Sequence, residues 1–227
     1  MGQPAMADYI EPLTRDFALA QERCALIVVD MQYASGSRLH GLGKWLAARG
    51  QLDEARYRFD RIEQVVVPGI GKLLAAFRAG GLRIVYVTLG PQLPDLSDAP
   101  VHMRPFFSAL NNHAGTREHD IIDELAPQPG EVVLNKVTQG AFASSGIDSI
   151  LRNMGVSQLI MTGVSTNNCV ETTAREASDR GYEVVLVSDA TGTCSEAMQK
   201  MTEDGFVRLW GRVMTVEDVI KAVGAQS

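Results

Sequence analysis

Apolar runs separated by amphipathic stretches organise the chain. Ala25-Leu26-Ile27-Val28-Val29 is continuously apolar and ends in Asp30. Unbroken rather than alternating apolarity marks a strand buried on both faces, as in a parallel sheet. Similar runs occupy 82–87, 131–134, 159–162 and 183–187, and a weaker sixth is expected at 206–210. Helical spacing predicts helices over 70–78, 147–154, 169–179 and 216–223, with Gly80-Gly81, Gly155 and Gly181 as stops. Ser195 is the expected N-cap of a further helix through Met201. Buried strands alternating with helices imply an α/β fold: a six-stranded, mostly parallel, doubly wound sheet with helices on both faces.

Segments 34–60 and 90–119 break this rhythm. Both are long, polar and interrupted by Gly or Pro, and both follow predicted strands. They are therefore expected at the carboxyl edge of the sheet, where α/β proteins bind ligands. Residues 1–5 read as a vector-derived scar ahead of Met6, and 6–227 as a single domain.

Charge and cysteine content narrow the partners. Lys plus Arg is 21 against 27 Asp plus Glu, a net charge of −6, and basic residues are not clustered. Nucleic acid and membrane partners are therefore not expected. Cys24, Cys169 and Cys194 cannot all pair within one chain, so free thiols in a reducing cytoplasm are expected. The four histidines lack paired ligand spacing, and no Gly-rich fingerprint follows the first strand. Neither a metal nor a dinucleotide cofactor is expected.

Three residues carry the candidate chemistry. Asp30 closes the first strand and Lys136 the third, positions at the ligand edge; alone, Asp30 reads equally as a helix cap or solvated loop carboxylate, and Lys136 reads more readily as a surface lysine at a strand end. Cys169 follows a strand and the small polar turn Gly163-Val164-Ser165-Thr166-Asn167-Asn168, and opens a helix. An isolated Cys is usually a buried structural thiol. A thiol at a helix start instead feels the helix dipole and unpaired N–H groups, which should draw its pKa below the free value of about 8.5. That setting favours a nucleophile. A Cys–His dyad through His113 or His119 is a weaker alternative.

Taken together, Val28-Val29-Asp30-Met31-Gln32, Lys136, Ile122-Asp123-Glu124-Leu125 and Gly163 through Val170 resemble the isochorismatase-like cysteine hydrolases. The resemblance runs from Ala25 to about Val223. It implies Cys169 as nucleophile, Asp30 as proton acceptor and donor, and Lys136 as the group that orients both and holds them charged. It implies a cis peptide between Val164 and Ser165, with the N–H groups of Ser165 and Cys169 as an oxyanion hole. It also implies a homo-oligomer, dimer or tetramer. Cys169 speaks against vinyl-ether hydrolysis, because true isochorismatases lack that thiol. The loop Thr88-Leu89-Gly90-Pro91-Gln92-Leu93-Pro94-Asp95 lacks the Asp–His–His metal pattern of the nicotinamidases.

What remains resembles enzymes acting on carbamoyl compounds. The leading expectation is metal-independent amide hydrolysis of a small urea-like substrate such as biuret or triuret, through a thioester and release of ammonia or an amine. The alternative is a carboxylate-bearing ureido acid, ureidoacrylate or an N-carbamoyl amino acid. A non-catalytic scaffold that keeps the fold is the rival of another class. Gln139 stands where the biuret-type enzymes place a substrate-binding polar side chain. Tyr33 and Phe142 are expected as pocket walls, and Arg104 as the anchor of a substrate carboxylate.

Overall fold

A computed structural model describes residues 9–224 of the 227-residue chain. The scar assigned to residues 1–5 lies outside the described residues. The strands are β1 (Cys24–Val29), β2 (Arg83–Leu89), β3 (Val132–Lys136), β4 (Gln158–Val164), β5 (Glu183–Gly192) and β6 (Arg212–Met214). They form one six-stranded sheet in the order β3-β2-β1-β4-β5-β6. Every neighbouring pair is parallel.

The helices are α1 (Tyr33–Gly36), α2 (Gly41–Ala47), α3 (Arg56–Arg61), α4 (Val67–Ala79), α5 (Arg104–Leu110), α6 (Ile147–Asn153), α7 (Glu171–Asp179), α8 (Glu196–Phe206) and α9 (Val216–Gly224). All six residues of β1 are buried, which is why its sequence shows no polar alternation. Cys24, Leu26 and Val28 face one core with Phe59, Ile70, Leu73, Phe77 and Val219. Ala25, Ile27 and Val29 face a second core with Phe107, Ile147, Leu151, Ala174 and Phe206. The period-two alternation of a strand thus feeds two hydrophobic layers, one on each side of the sheet. Among the described residues no helix is long and apolar enough to cross a membrane.

Two expectations about the elements need correction. The sixth strand lies at Arg212–Met214, not at 206–210. Phe206 instead closes α8, whose N-cap is Ser195, its hydroxyl accepting from Met198 N–H at 3.3 Å. Segment 34–60 is also more helical than its composition suggests, carrying α1, α2 and most of α3. From α3 the chain passes through a widened turn at Ile62–Val66 into α4, where Val67 N–H bonds back five residues to Ile62 O. Pro68 explains the widening. A proline inside a regular helix loses one hydrogen bond and clashes with the carbonyl four residues earlier.

The sheet edge is shaped at one glycine. Gly163 has φ +109°, and a Cβ there would lie 2.0 Å from Val29 O. The absence of a side chain lets β1 and β4 approach closely. Beside it the β4–β5 register shifts between Met161 and Gly163. Such irregularities commonly re-aim a strand end beside a site.

Candidate active site

Asp30, Lys136 and Cys169 come from three different strand ends and meet below one cavity. Asp30 follows β1 with φ +52°, a left-handed conformation that Asp tolerates better than most residues. Its N–H donates to Val87 O at 2.8 Å and its carbonyl accepts from Ser35 Oγ at 2.6 Å. Lys136 ends β3, two strands away across β2, a lateral distance of about 10 Å. Its long stem crosses that gap under the cavity, and Nζ donates to Asp30 Oδ2 at 3.0 Å and to Thr138 O at 3.1 Å. The pair is deeply buried, the two side chains being 0% and 3% exposed. Asp30 Oδ1 is buried too and has no hydrogen-bond partner among the described residues.

Cys169 sits on the turn Thr166–Val170 that leads into α7. Asn168 breaks the helical geometry with φ −123° and ψ −105°, and the Val164–Ser165 peptide is cis. Side chains brace this turn from below. Thr166 Oγ1 donates to Gln199 Oε1 at 2.7 Å, and Gln199 Nε2 donates to Thr191 Oγ1 at 3.1 Å. Thr173 Oγ1 donates to Cys169 O at 2.7 Å and accepts from Ala141 N–H at 3.1 Å. The loop after β3 is thereby pinned to α7. At Gly140 a Cβ would lie 2.2 Å from Glu176 Oε2, so a side chain there would have to displace the carboxylate that accepts from Phe142 N–H at 2.9 Å. Gln139 is carried to the thiol as a result, and Cys169 Sγ donates to Gln139 Oε1 at 3.1 Å.

The electrostatics depart from the helix-start expectation. Burial, and then the Asp30 carboxylate, push the Cys169 thiol well above its ordinary value, with Lys136 opposing. The helix terminus acts locally, whereas desolvation of a buried thiolate outweighs it. The resting sulfur is therefore a thiol. Burial also raises Asp30, against the attraction of Lys136. Lys136 is lowered by burial but raised more by Asp30 and Cys169 together, and stays an ammonium.

The cavity above these groups measures about 580 Å³, within the range of small-molecule sites. Asp30, Gln139, Ser165 and Cys169 line it; Lys136 lies beneath. The two irregular segments supply much of the remaining wall, through Ser35, Leu42 and Arg58 from the first and Met103, Phe106 and Asn112 from the second.

Tyr33, Phe142 and Arg104 do not line the cavity, contrary to expectation. Tyr33 packs edge-on against His40, and its hydroxyl accepts from Arg117 Nη2 at 2.6 Å. Phe142 is turned against Tyr182 by the bond from its N–H to Glu176 Oε2. Arg104 folds back on its own loop, donating to Ala99 O and Ser97 O. Met103 and Phe106, three residues apart on one helical face, take the inward positions instead. His113 and His119 do not line the cavity either. His119 is held between Gln32 and Asn112, its pKa lowered chiefly by burial, so no Cys–His dyad forms.

Sequence reading missed the cation of the cavity, Arg58, which is 8% exposed. It also missed the task of Gln32. That amide ties β1 to β2, accepting from Leu89 N–H at 2.8 Å and donating to His119 O at 2.8 Å. Among the described residues no group of three His, Cys, Asp or Glu side chains is placed to hold a metal ion.

A strand-end acid, a buried lysine and a turn-borne cysteine on this sheet define a class. The isochorismatase domain model matches residues 24–218. The ureidoacrylate amidohydrolase RutB of Enterobacter sp. (strain 638) is 33% identical over 223 residues, covering 92% of each chain. Among solved structures, a cysteine hydrolase from Pseudomonas syringae pv. phaseolicola 1448A superimposes with a TM-score of 0.78 at 26% identity, covering 92% of this chain and 96% of that one. N-carbamoylsarcosine amidase from Thermoplasma acidophilum gives 0.63 at 27% identity, covering 86% and 97%. The chain belongs to the isochorismatase family. Within it, the chain is an amidohydrolase, a hydrolase of C–N bonds in linear amides.

Proposed function

We propose that the chain hydrolyses the carbamoyl C–N bond of a small carboxylate-bearing ureido acid through a thioester on Cys169. The observation that carries this reading is the buried Asp30–Lys136 pair beside the thiol, with Asp30 and Cys169 opening on one cavity. The relative named for ureidoacrylate and the neighbour named for N-carbamoylsarcosine favour a ureido acid over biuret or triuret. The order of the two substrate expectations is thereby reversed.

The chemistry follows from the charges. Asp30 accepts the thiol proton as Sγ attacks the carbonyl carbon, so no free thiolate need accumulate. The tetrahedral oxygen takes its charge between the N–H groups of Ser165 and Cys169. Asp30 then returns the proton to the leaving nitrogen, and ammonia or the amine departs. Water, deprotonated by Asp30, hydrolyses the thioester and restores the thiol. Lys136 stays charged throughout and keeps Asp30 ionised between steps. Gln139 meets the carbamoyl group with both a donor and an acceptor. The three free thiols suit a reducing compartment, and we assign the enzyme to the cytoplasm. We assign it also to a homo-oligomer, which light scattering of the purified chain would test.

The test is ammonia release from ureidoacrylate, N-carbamoylsarcosine, biuret, triuret and nicotinamide, by the native chain and by Cys169→Ser. Release from a ureido acid that the variant lacks is the expected result. Undiminished turnover by Cys169→Ser would remove the nucleophile assignment. Release from biuret alone would restore the urea-like substrate, and silence across the panel would favour the scaffold.

A further inference from the structure

Arg58 has no place in the chemistry just described, yet it is the buried cation of the cavity wall. It lies in α3 with Nη1 donating to Ser165 Oγ at 2.7 Å and Nη2 donating to Ser35 O at 2.9 Å. Guanidinium has five N–H donors. The remaining donors include Nε–H, which is buried and finds no partner among the described residues. No carboxylate lies within ion-pair distance of Arg58 among those residues. Glu54, one turn earlier on the same wall, is exposed and accepts from Gln51 instead. Burial lowers the Arg58 pKa, with the Cys194 and Cys169 thiols opposing, but a guanidinium remains charged at neutral pH. A buried, charged fork with spare donors and no anion is costly unless an anion completes it.

We propose that Arg58 is the carboxylate-recognition residue of this cavity, binding the acid end of a short ureido acid whose carbamoyl carbon rests on Cys169. The assignment deepens the amidohydrolase reading and rests on it for the identity of the reacting end. Two features place the two ends of one molecule together. Arg58 is one hydrogen bond from Ser165, whose N–H faces the reacting carbonyl in that reading. Arg58 and Cys169 also line the same cavity. Planar guanidinium matches a carboxylate with two parallel hydrogen bonds, a geometry a neutral amide or ester cannot reproduce. The site therefore selects acids over uncharged ureas by charge and by shape.

The experiment is calorimetric binding in the turnover-silent Cys169→Ser background, with 3-ureidopropionate and its methyl ester as probes. The acid is expected to bind at least about 30-fold more tightly than the ester, the scale of losing one partner of a buried charge pair. Adding Arg58→Met should collapse that ratio to within about threefold, and Arg58→Lys should leave an intermediate ratio, because charge survives but the fork does not. Equal losses for acid and ester would make Arg58 a clamp on the Ser165 turn and overturn the proposal. So would an acid that binds no better than its ester, or not at all. Binding is read without turnover. Selective, Arg58-dependent acid binding in a chain that hydrolyses no ureido acid would therefore support this site and sink the proposed reaction.

Discussion

Lys136→Met isolates the contribution of the buried ion pair. The substitution keeps most of the stem volume and removes the ammonium 3.0 Å from Asp30 Oδ2. Asp30 would then be a carboxylate with a 3% exposed side chain and no counter-charge. Breaking a buried pair from one side costs about 3–5 kcal/mol. In a domain of this size each kcal/mol moves Tm by about 2–4 °C, so a fall of about 10 °C is expected at pH 8. Asp30 can escape the penalty by taking a proton. Burial already raises its pKa and Lys136 is the chief influence holding it down, so the variant raises it further. A carboxyl whose folded pKa exceeds its unfolded value near 3.9 binds its proton more tightly when folded. Its stability contribution is complete below that unfolded value and is lost as pH rises through the folded one. The deficit against the native chain should therefore be smaller at pH 5 than at pH 8. Asp30→Asn combined with Lys136→Met removes both charges and should recover most of the loss at pH 8. Thermal unfolding by circular dichroism at the two pH values, on the native chain and both variants, reads all of this. Equal deficits at both pH values, with no recovery in the double variant, would show that the pair does not act as a coupled buried charge.

Three further outcomes follow from the same geometry. Iodoacetamide at pH 7 should modify the exposed Cys194 before Cys169, and the Cys169 rate should climb about tenfold per pH unit between 7 and 9, as a raised thiol pKa requires; peptide mapping that finds Cys169 first at pH 7 would reverse the assigned shift. Cys24, pushed up to about 11 by burial, should be slower than Cys194 as well. Gly163→Ala adds a Cβ 2.0 Å from Val29 O at φ +109° and should destabilise by roughly 4 kcal/mol or more, seen as a large Tm loss or insoluble protein; a native Tm would mean that β1 and β4 can separate freely. The acid limb of kcat/KM should lie above the ordinary carboxylate value near 3.9, because in the proposed reaction only ionised Asp30 accepts the thiol proton and burial raises its pKa; a limb at or below that value, or an Asp30→Asn variant that keeps turnover, would remove Asp30 as the base.

How much of this was legible follows from where each signal resides. β1 was readable because both its faces are buried and the chain records that as an unbroken apolar run. β6 was not, because three half-buried residues at a sheet edge leave almost no pattern, while the apolar residues just upstream belong to the end of α8. Asp30 and Lys136 were readable as strand ends, but their contact depends on β2 lying between β1 and β3, which is a fact of topology. The sign of the Cys169 shift was misjudged for a related reason. A helix start is a local feature of sequence, whereas desolvation is set by everything packed around the thiol.

The walls of the cavity show the same division more sharply. Tyr33, Phe142 and Arg104 were chosen for chemistry and nearness in sequence, and each is turned away by its folded partners: Arg117 for Tyr33, Glu176 for Phe142, and two carbonyls of its own loop for Arg104. Arg58 was passed over because it lies in a polar stretch whose six-residue helix ends in the widened turn that Pro68 imposes. Nothing local distinguishes it from Arg56, two residues earlier, which is exposed and pairs with Asp53. Only the fold, which sets Arg58 against Ser35 of α1 and Ser165 beyond β4, strips one arginine of water and leaves the other solvated. Asp30, Lys136 and Cys169 stand at or just beyond strand ends, so their order along the chain reveals them. The rest of the cavity wall comes from side chains brought in by irregular segments, so no local pattern along the chain announces it.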